Sequence, residues 1–193
     1  MANRTKKLIK DSFRKLLNEK PLGEITVKDI VTDCEINRKT FYYHFSDIYA
    51  LADEIFLETI DGLVRDTPAG ADGWCEMVGR VAQCMSDNRK ITLHVYRTLG
   101  YERTNEALRG ICMKYAPAFL LQASADLRIK KEDIDNLAFF YSIAVSAVLT
   151  QWMKEGLPEI PGAAAERFER MMRGTVRGAL ENAASMSFPP RER

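Results

Sequence analysis

A chain of 193 residues, 46% of them hydrophobic and with a net charge of +1, is long enough to bury a sizeable core as one large domain or two small ones. Four scattered cysteines, Cys34, Cys75, Cys84 and Cys112, with no C-x-x-C pair and only two histidines, argue against a zinc site or a disulfide framework. No Gly-rich phosphate loop, G-x-S-x-G or H-E-x-x-H occurs, so neither an enzyme nor a bound cofactor or metal is expected.

The opening Met-Ala-Asn-Arg-Thr-Lys-Lys is followed by Lys10, Asp11 and Arg14 rather than by an apolar run, and no stretch approaches the roughly 20 apolar residues of a membrane span. A cytoplasmic protein is the expectation. Residues 1–47 hold ten Lys or Arg against seven acids and the remainder eighteen against twenty, so the N-terminal end is mildly basic and the rest mildly acidic. That asymmetry suits a protein of which one part meets nucleic acid.

In chain order, a first helix is expected from about Arg4 to Asn18, with Leu8, Ile9, Phe13, Leu16 and Leu17 on one face. Lys10, Arg14 and Lys15 read as its solvated face, and Arg4, Lys6 and Lys7 as possible neighbours of a phosphate. Pro21 and Gly23 end it. Thr26 then suits an N-cap, and Val27, Ile30, Val31 and Cys34 recur at helical spacing. Glu35 and Ile36 make a turn. Asn37 can cap a second short helix, Arg38 to His44, with Phe41 and Phe45 inward and Arg38, Lys39, Tyr42 and Tyr43 outward. This is the pattern of a helix-turn-helix that reads DNA: an arginine fork or a lysine suits a guanine edge, and tyrosine hydroxyls suit phosphate oxygens. Short capped helices with aromatics also occur in proteins that never touch DNA.

The same residues carry a resemblance. Thr26, Ile30, Cys34, Thr40, Phe41, Tyr42, His44, Phe45 and Leu51 follow, almost without a gap, a Thr opening the second helix and a third helix ending in Thr-(Leu/Phe)-Tyr-x-His/Tyr-Phe. In this the stretch resembles the N-terminal domain of the TetR family of bacterial transcriptional regulators. The resemblance implies base or near-base contacts from Arg38, Lys39 and Tyr43, and phosphate contacts from Thr26, Lys28, Thr40, Tyr42 and His44. It also implies an all-α fold of about nine helices, with a helix-turn-helix domain at 1–47, a larger ligand-binding and dimerisation domain at 48–186, and a tail at 187–193. Two positions depart from the family pattern. Glu35 stands where a turn glycine is usual, at a cost of about 1 kcal/mol if its backbone is left-handed. Ile48, after Asp47, stands where a phosphate-binding lysine is usual.

Asp47 to about Thr67 reads as a longer helix connecting the domains, stopped by Pro68 and the run PAGADG. Helices follow at Trp74–Met85, Ile91–Leu99 and Thr104–Ala125, the last expected to kink at Pro117. Irregular space beside a kink would suit a ligand, and Met77, Val81, Met85, Tyr96, Met113, Tyr115, Phe119, Phe140 and Tyr141 are candidate lining residues. Ordinary core packing is the leading account of each. His94 and Arg97 read as a surface pair.

Asp133–Glu155 is apolar nearly all round, and Ala163–Ala184 is amphipathic. Val145, Val148, Trp152, Phe168, Met172, Thr175, Val176 and Ala179 are therefore candidates for pairing with a second copy, with burial inside one chain as the alternative. The resemblance favours a homodimer. The expected function is a ligand-responsive regulator, in the usual case a repressor, that binds a palindromic operator in double-stranded DNA and is released by a small molecule. The alternative is a TetR-fold coactivator whose grip on DNA depends on a protein co-regulator. Phe-Tyr-Tyr-His-Phe followed by Asp-Ile-Tyr is similar to the subgroup associated with control of dihydroxyacetone kinase genes, and Ile48 points the same way.

Overall fold

The structure, a computed structural model, describes residues 2–67, 73–159, 170–172 and 174–187. Among these there is no strand. Eight α-helices succeed one another: α1 (Ala2–Glu19), α2 (Val27–Asp33), α3 (Arg38–His44), α4 (Ile48–Arg65), α5 (Gly73–Asp87), α6 (Arg89–Ala123), α7 (Lys131–Lys154) and α8 (Thr175–Ser187), with a single 3-10 turn at Leu22–Glu24. The chain divides into two compact units, Met1–Glu58 and Thr59–Arg193, and the division falls within α4.

In the first unit α1 lays Ile9, Phe13 and Leu16 against Ile30, Val31, Phe41, Phe45, Leu51 and Ile55, which closes one apolar core around the helix-turn-helix. Leu8, expected on that face, is exposed instead. Lys10, expected in solvent, is only 7% exposed. Its Nζ donates to Glu54 and Glu58 of α4 at 2.5 Å each, and those two carboxylates are what make burial of an ammonium tolerable. Lys15 stays exposed, as expected, while pairing with Asp33.

The second unit is built on α6 and α7, which pack along one another. Only Gly100 (φ 75°, ψ 175°) leaves helical geometry within α6, so the expected break between the two helices is real and sits on a residue without a Cβ. The expected kink at Pro117 is not the interruption: Pro117 keeps helical dihedrals, and the helix runs on through it to Ala123. At the end of α7 the N–H of Leu157 reaches Trp152 O and that of Gly156 (φ 86°) reaches Met153 O, a Schellman stop.

α7 turns an unusual face inward. Ser142, Ser146 and Thr150 are fully buried beside Ala138, Leu149 and Met153, whereas Phe139, Phe140, Ile143 and Val148 face out. By length and composition it is the one helix among the described residues apolar enough to cross a membrane, with a mean hydropathy of 1.2 and 39% of its apolar window buried against the rest of the unit.

Candidate nucleic-acid interface

The helix-turn-helix is held by three local devices. Thr26 caps α2 in a capping box: its Oγ1 accepts from Asp29 N at 3.3 Å, and Asp29 Oδ2 accepts from Thr26 N at 2.8 Å. Lys20 donates to the same Oδ2 at 2.8 Å and, with the Thr26 bonds, drives the Asp29 carboxyl well below the usual carboxylate range. At the other end of α2, Ile36 N reaches Val31 O and Glu35 N reaches Thr32 O, a Schellman motif with Glu35 at the left-handed position, φ 53°. Glu35 therefore does adopt the conformation that glycine tolerates best. Third, Asn37 Oδ1 caps α3, accepting from Thr40 N at 2.8 Å and from Thr40 Oγ1 at 3.0 Å.

With its start fixed by Asn37 and its inner face by Phe41 and Phe45, α3 has one way to lie. Arg38 and Lys39 are exposed on its first turn, and Tyr42 and Tyr43 are 54% and 78% exposed. Two of these rings are steadied by neighbours: Tyr42 meets Phe41 edge-on at 5.5 Å, and Tyr43 meets His44 edge-on at 5.0 Å. Large aromatics held in water, on a helix anchored from behind, form a surface organised for a partner. Lys28 is exposed on α2, and Thr40 and His44 are half-buried. The hydroxyls of Thr26 and Thr40 are engaged as caps, Thr26 donating to Asp29 at 2.7 Å, so a phosphate contact from either would replace an existing bond.

At the start of α4, Asp47 Oδ1 accepts from Ala50 N at 2.8 Å and Ile48 packs against the apolar core. No cation stands there. A helix start that attracts anions in many proteins is closed by the chain's own carboxylate.

In the second unit, Met77, Val81 and Met85 lie buried along α5, and Phe119 and Tyr141 flank Trp74 edge-on, with ring centroids 5.9 Å from it in each case. Trp74 was not among the expected lining residues, although an indole at the head of an amphipathic helix is a signal sequence reading could have used. Tyr96 is half-buried, and the Tyr115 hydroxyl donates to Asp61 at 3.1 Å. Phe140, 63% exposed, and Met113 sit on the outside of the unit and line no interior space. The reason for Phe140 is the helical turn that puts Tyr141 and Ser142 inward. His94 is half-buried with Nε2 3.2 Å from Thr98 Oγ1, and Arg97 is exposed as expected.

Of the residues expected at a dimer contact, Val148 and Thr175 are exposed, and Val145, Trp152, Met172 and Ala179 are half-buried. Val176 is 4% exposed and so is used up inside its own chain. Phe168 lies outside the described residues. Phe139 and Ile143, which were not among the expected residues, are exposed and with Phe140 and Val148 make an apolar face on α7.

A capped helix-turn-helix with an outward basic and aromatic helix, followed by a larger all-helical unit, defines a helix-turn-helix transcription regulator. The family model described as bacterial regulatory proteins, tetR family, matches residues 11–55, and that described as transcriptional regulator C-terminal region matches residues 72–174, more than half of the chain. The chain belongs to the TetR family of transcriptional regulators. No curated protein sequence matches it. Among solved structures it is similar to the TetR family repressor AlkX from Dietzia sp. strain DQ12-45-1b, implicated in biodegradation of n-alkanes, with a TM-score of 0.65 and 16% identity over 91% of this chain and 98% of that one. It is also similar to the dihydroxyacetone kinase operon activator DhaS, with a TM-score of 0.54 and 16% identity over 94% of this chain and 98% of the other. At these identities the likeness is one of fold.

Proposed function

We propose that this regulator binds a palindromic operator as a homodimer, each copy laying α3 in a major groove, and that a small molecule bound in the second unit releases it. It works as a repressor in the cytoplasm and catalyses no reaction. The observation that carries the reading is the exposure of Arg38, Lys39, Tyr42 and Tyr43 on a helix whose other face is locked by Phe41 and Phe45. Arg38 and Lys39 read base edges. Tyr42, Tyr43, Lys28 and His44 set the register on the phosphates, and Thr26 and Thr40 join them only by giving up part of their capping role.

Dimerisation uses the exposed stripe Phe139, Phe140, Ile143 and Val148 of α7, with α8 beside it. An effector that binds the second unit would meet the aromatic group of Trp74, Phe119 and Tyr141 and the buried Met77, Val81 and Met85, which favours an apolar or aromatic molecule. To act, it must bind the DNA-released form more tightly than the DNA-bound form.

A second reading is a coactivator that grips DNA only with a protein co-regulator. The start of α4, with Asp47 capping and Ile48 in the core, favours it, since a phosphate-binding cation is missing there. Footprinting of the purified protein on its own upstream DNA decides between them. Two protected half-sites about one helical turn apart support the regulator that acts alone. Protection that appears only when a second protein is added supports the coactivator.

A further inference from the structure

Of the ten Lys and Arg in residues 1–47, Lys6, Lys10, Arg14, Lys15 and Lys20 are neutralised inside the first unit, by Glu54, Glu58, Asp11, Asp33 and Asp29. Arg4, Lys7, Lys28, Arg38 and Lys39 make no ion pair among the described residues. Three of these belong to the helix-turn-helix. The other two stand on the exposed first turns of α1, three residues apart and so on one side of the helix.

Where that side lies follows from the contacts of α1. Lys6 pairs with Glu54 at 2.7 Å, Lys10 with both Glu54 and Glu58, and Arg14 with Glu58 at 3.5 Å. The contacts advance along both helices together, so α1 runs parallel to α4, with Lys6 level with the second turn of α4. Lys6 Nζ also stands 5.3 Å from the ring centroid of Phe45, the residue that ends α3. Arg4 and Lys7 flank Lys6 in sequence and line with it, Lys10, Arg14 and Glu58 an open recess of about 550 Å3. On the neighbouring edge, the start of α4 presents Asp47 and no cation.

We propose that Arg4 and Lys7 grip DNA phosphates, carrying the backbone contact from α3 onto α1 and replacing the cation that α4 lacks. This rests on the DNA-binding reading above. A duplex fits better than a free anion because the recess is open, because Lys6 in its lining stands against Phe45 at the end of α3, and because DNA presents a phosphate about every 1.7 Å along its axis.

The test is fluorescence anisotropy of the full chain on its upstream duplex and on an unrelated duplex, across a salt series. Wild type, Arg4→Ala/Lys7→Ala, Arg4→Lys/Lys7→Arg and a charge-matched control in the second unit, Lys90→Ala/Lys131→Ala, are compared, with circular dichroism for each. Arg4→Ala/Lys7→Ala is expected to weaken both duplexes by a similar factor of about tenfold and to lower the slope of log affinity against log salt by about 1.8, near 0.9 for each phosphate released. The conservative exchange is expected to keep the wild-type slope. An unchanged slope overturns the proposal, as does an equal fall in the second-unit control, which would mark a net-charge effect. It is also overturned if the double variant loses binding of inorganic phosphate with DNA affinity intact, since the recess then serves a free anion. Arg38→Ala/Lys39→Ala, run alongside, separates the two ideas: if it leaves sequence selectivity untouched the recognition-helix reading falls, whereas an unchanged slope in the α1 variant beside lost selectivity in this one overturns the α1 proposal alone.

Discussion

Asp47 and Asp53 oppose one another along α4: Asp47 caps the helix with Oδ1 on Ala50 N, while Asp53, two turns further in, is 9% exposed with no partner for its own Oδ1 among the described residues. Burial, with the Asp47 charge added, pushes the Asp53 carboxyl up to about 6 from 3.8. An acid with a raised folded-state pKa takes its proton earlier when folded than when unfolded. Its contribution to stability therefore improves as pH falls from about 6 toward 3.8 and is at its least favourable above 6. Asp53→Asn is expected to stabilise the chain at pH 7 by about 1–3 kcal/mol, the advantage shrinking to nothing by about pH 4. Urea titrations of both proteins at pH 4, 5.5 and 7 measure it, and a variant less stable at pH 7 would show that the carboxylate has a partner.

Glu35 occupies the left-handed position of the turn between α2 and α3 at φ 53°. Glycine there removes the Cβ conflict at the expense of added freedom in the unfolded chain, a net gain of about 0.5–1 kcal/mol. Glu35→Gly is expected to raise Tm by about 1–3 °C with DNA affinity retained. A fall in Tm would mean that the glutamate makes a contribution its exposed position does not suggest.

Arg177 of α8 holds Asp126, just beyond the end of α6, through two hydrogen bonds of 2.6 Å, and also donates to Ala123 O and Glu181. The fork holds the Asp126 carboxyl down at about 2. A depressed carboxyl contributes its stability above its unfolded pKa of 3.8, and that contribution is lost as pH falls through about 2. Arg177→Ala is expected to lower Tm at pH 7 and to differ less from wild type below pH 2, where only the bond to Ala123 O remains to be lost, which thermal melts across that range would record.

The helix-turn-helix was legible because its determinants are local. Thr26 and Asn37 cap over three residues, and Phe41 and Phe45 sit one turn apart, so spacing alone assigns their faces. Lys10 was not legible, since its burial depends on Glu54 and Glu58, which lie 44 and 48 residues away. Gly100 breaks α6 through a backbone angle open to a glycine in any loop, while Pro117 costs only a hydrogen bond the helix gives up. Phe140 was misplaced because α7 inverts the usual preference: Ser142, Ser146 and Thr150 are buried, and Phe139, Phe140, Ile143 and Val148 are left outside. Hydropathy ranks Phe above Ser for burial, and here the two rank the other way.

That inversion has a measurable consequence. Phe140→Asp places a charge in the centre of the exposed stripe of α7, at the expense of one edge-on ring contact with Tyr141 in its own chain. Sedimentation velocity is expected to show a dimer for wild type and a monomer for the variant, at unchanged helical content. A variant that stays dimeric would move the interface off this face of α7.

The most direct test of the central claim is anisotropy of Arg38→Ala/Lys39→Ala beside wild type on the chain's own upstream DNA and on an unrelated duplex. The account predicts that wild type prefers its own sequence by at least about a hundredfold, and that the variant loses this preference, each base contact contributing about 1–3 kcal/mol. A variant that still tells the two duplexes apart as well as wild type would contradict it, because α3 would then not be the part of this chain that reads DNA.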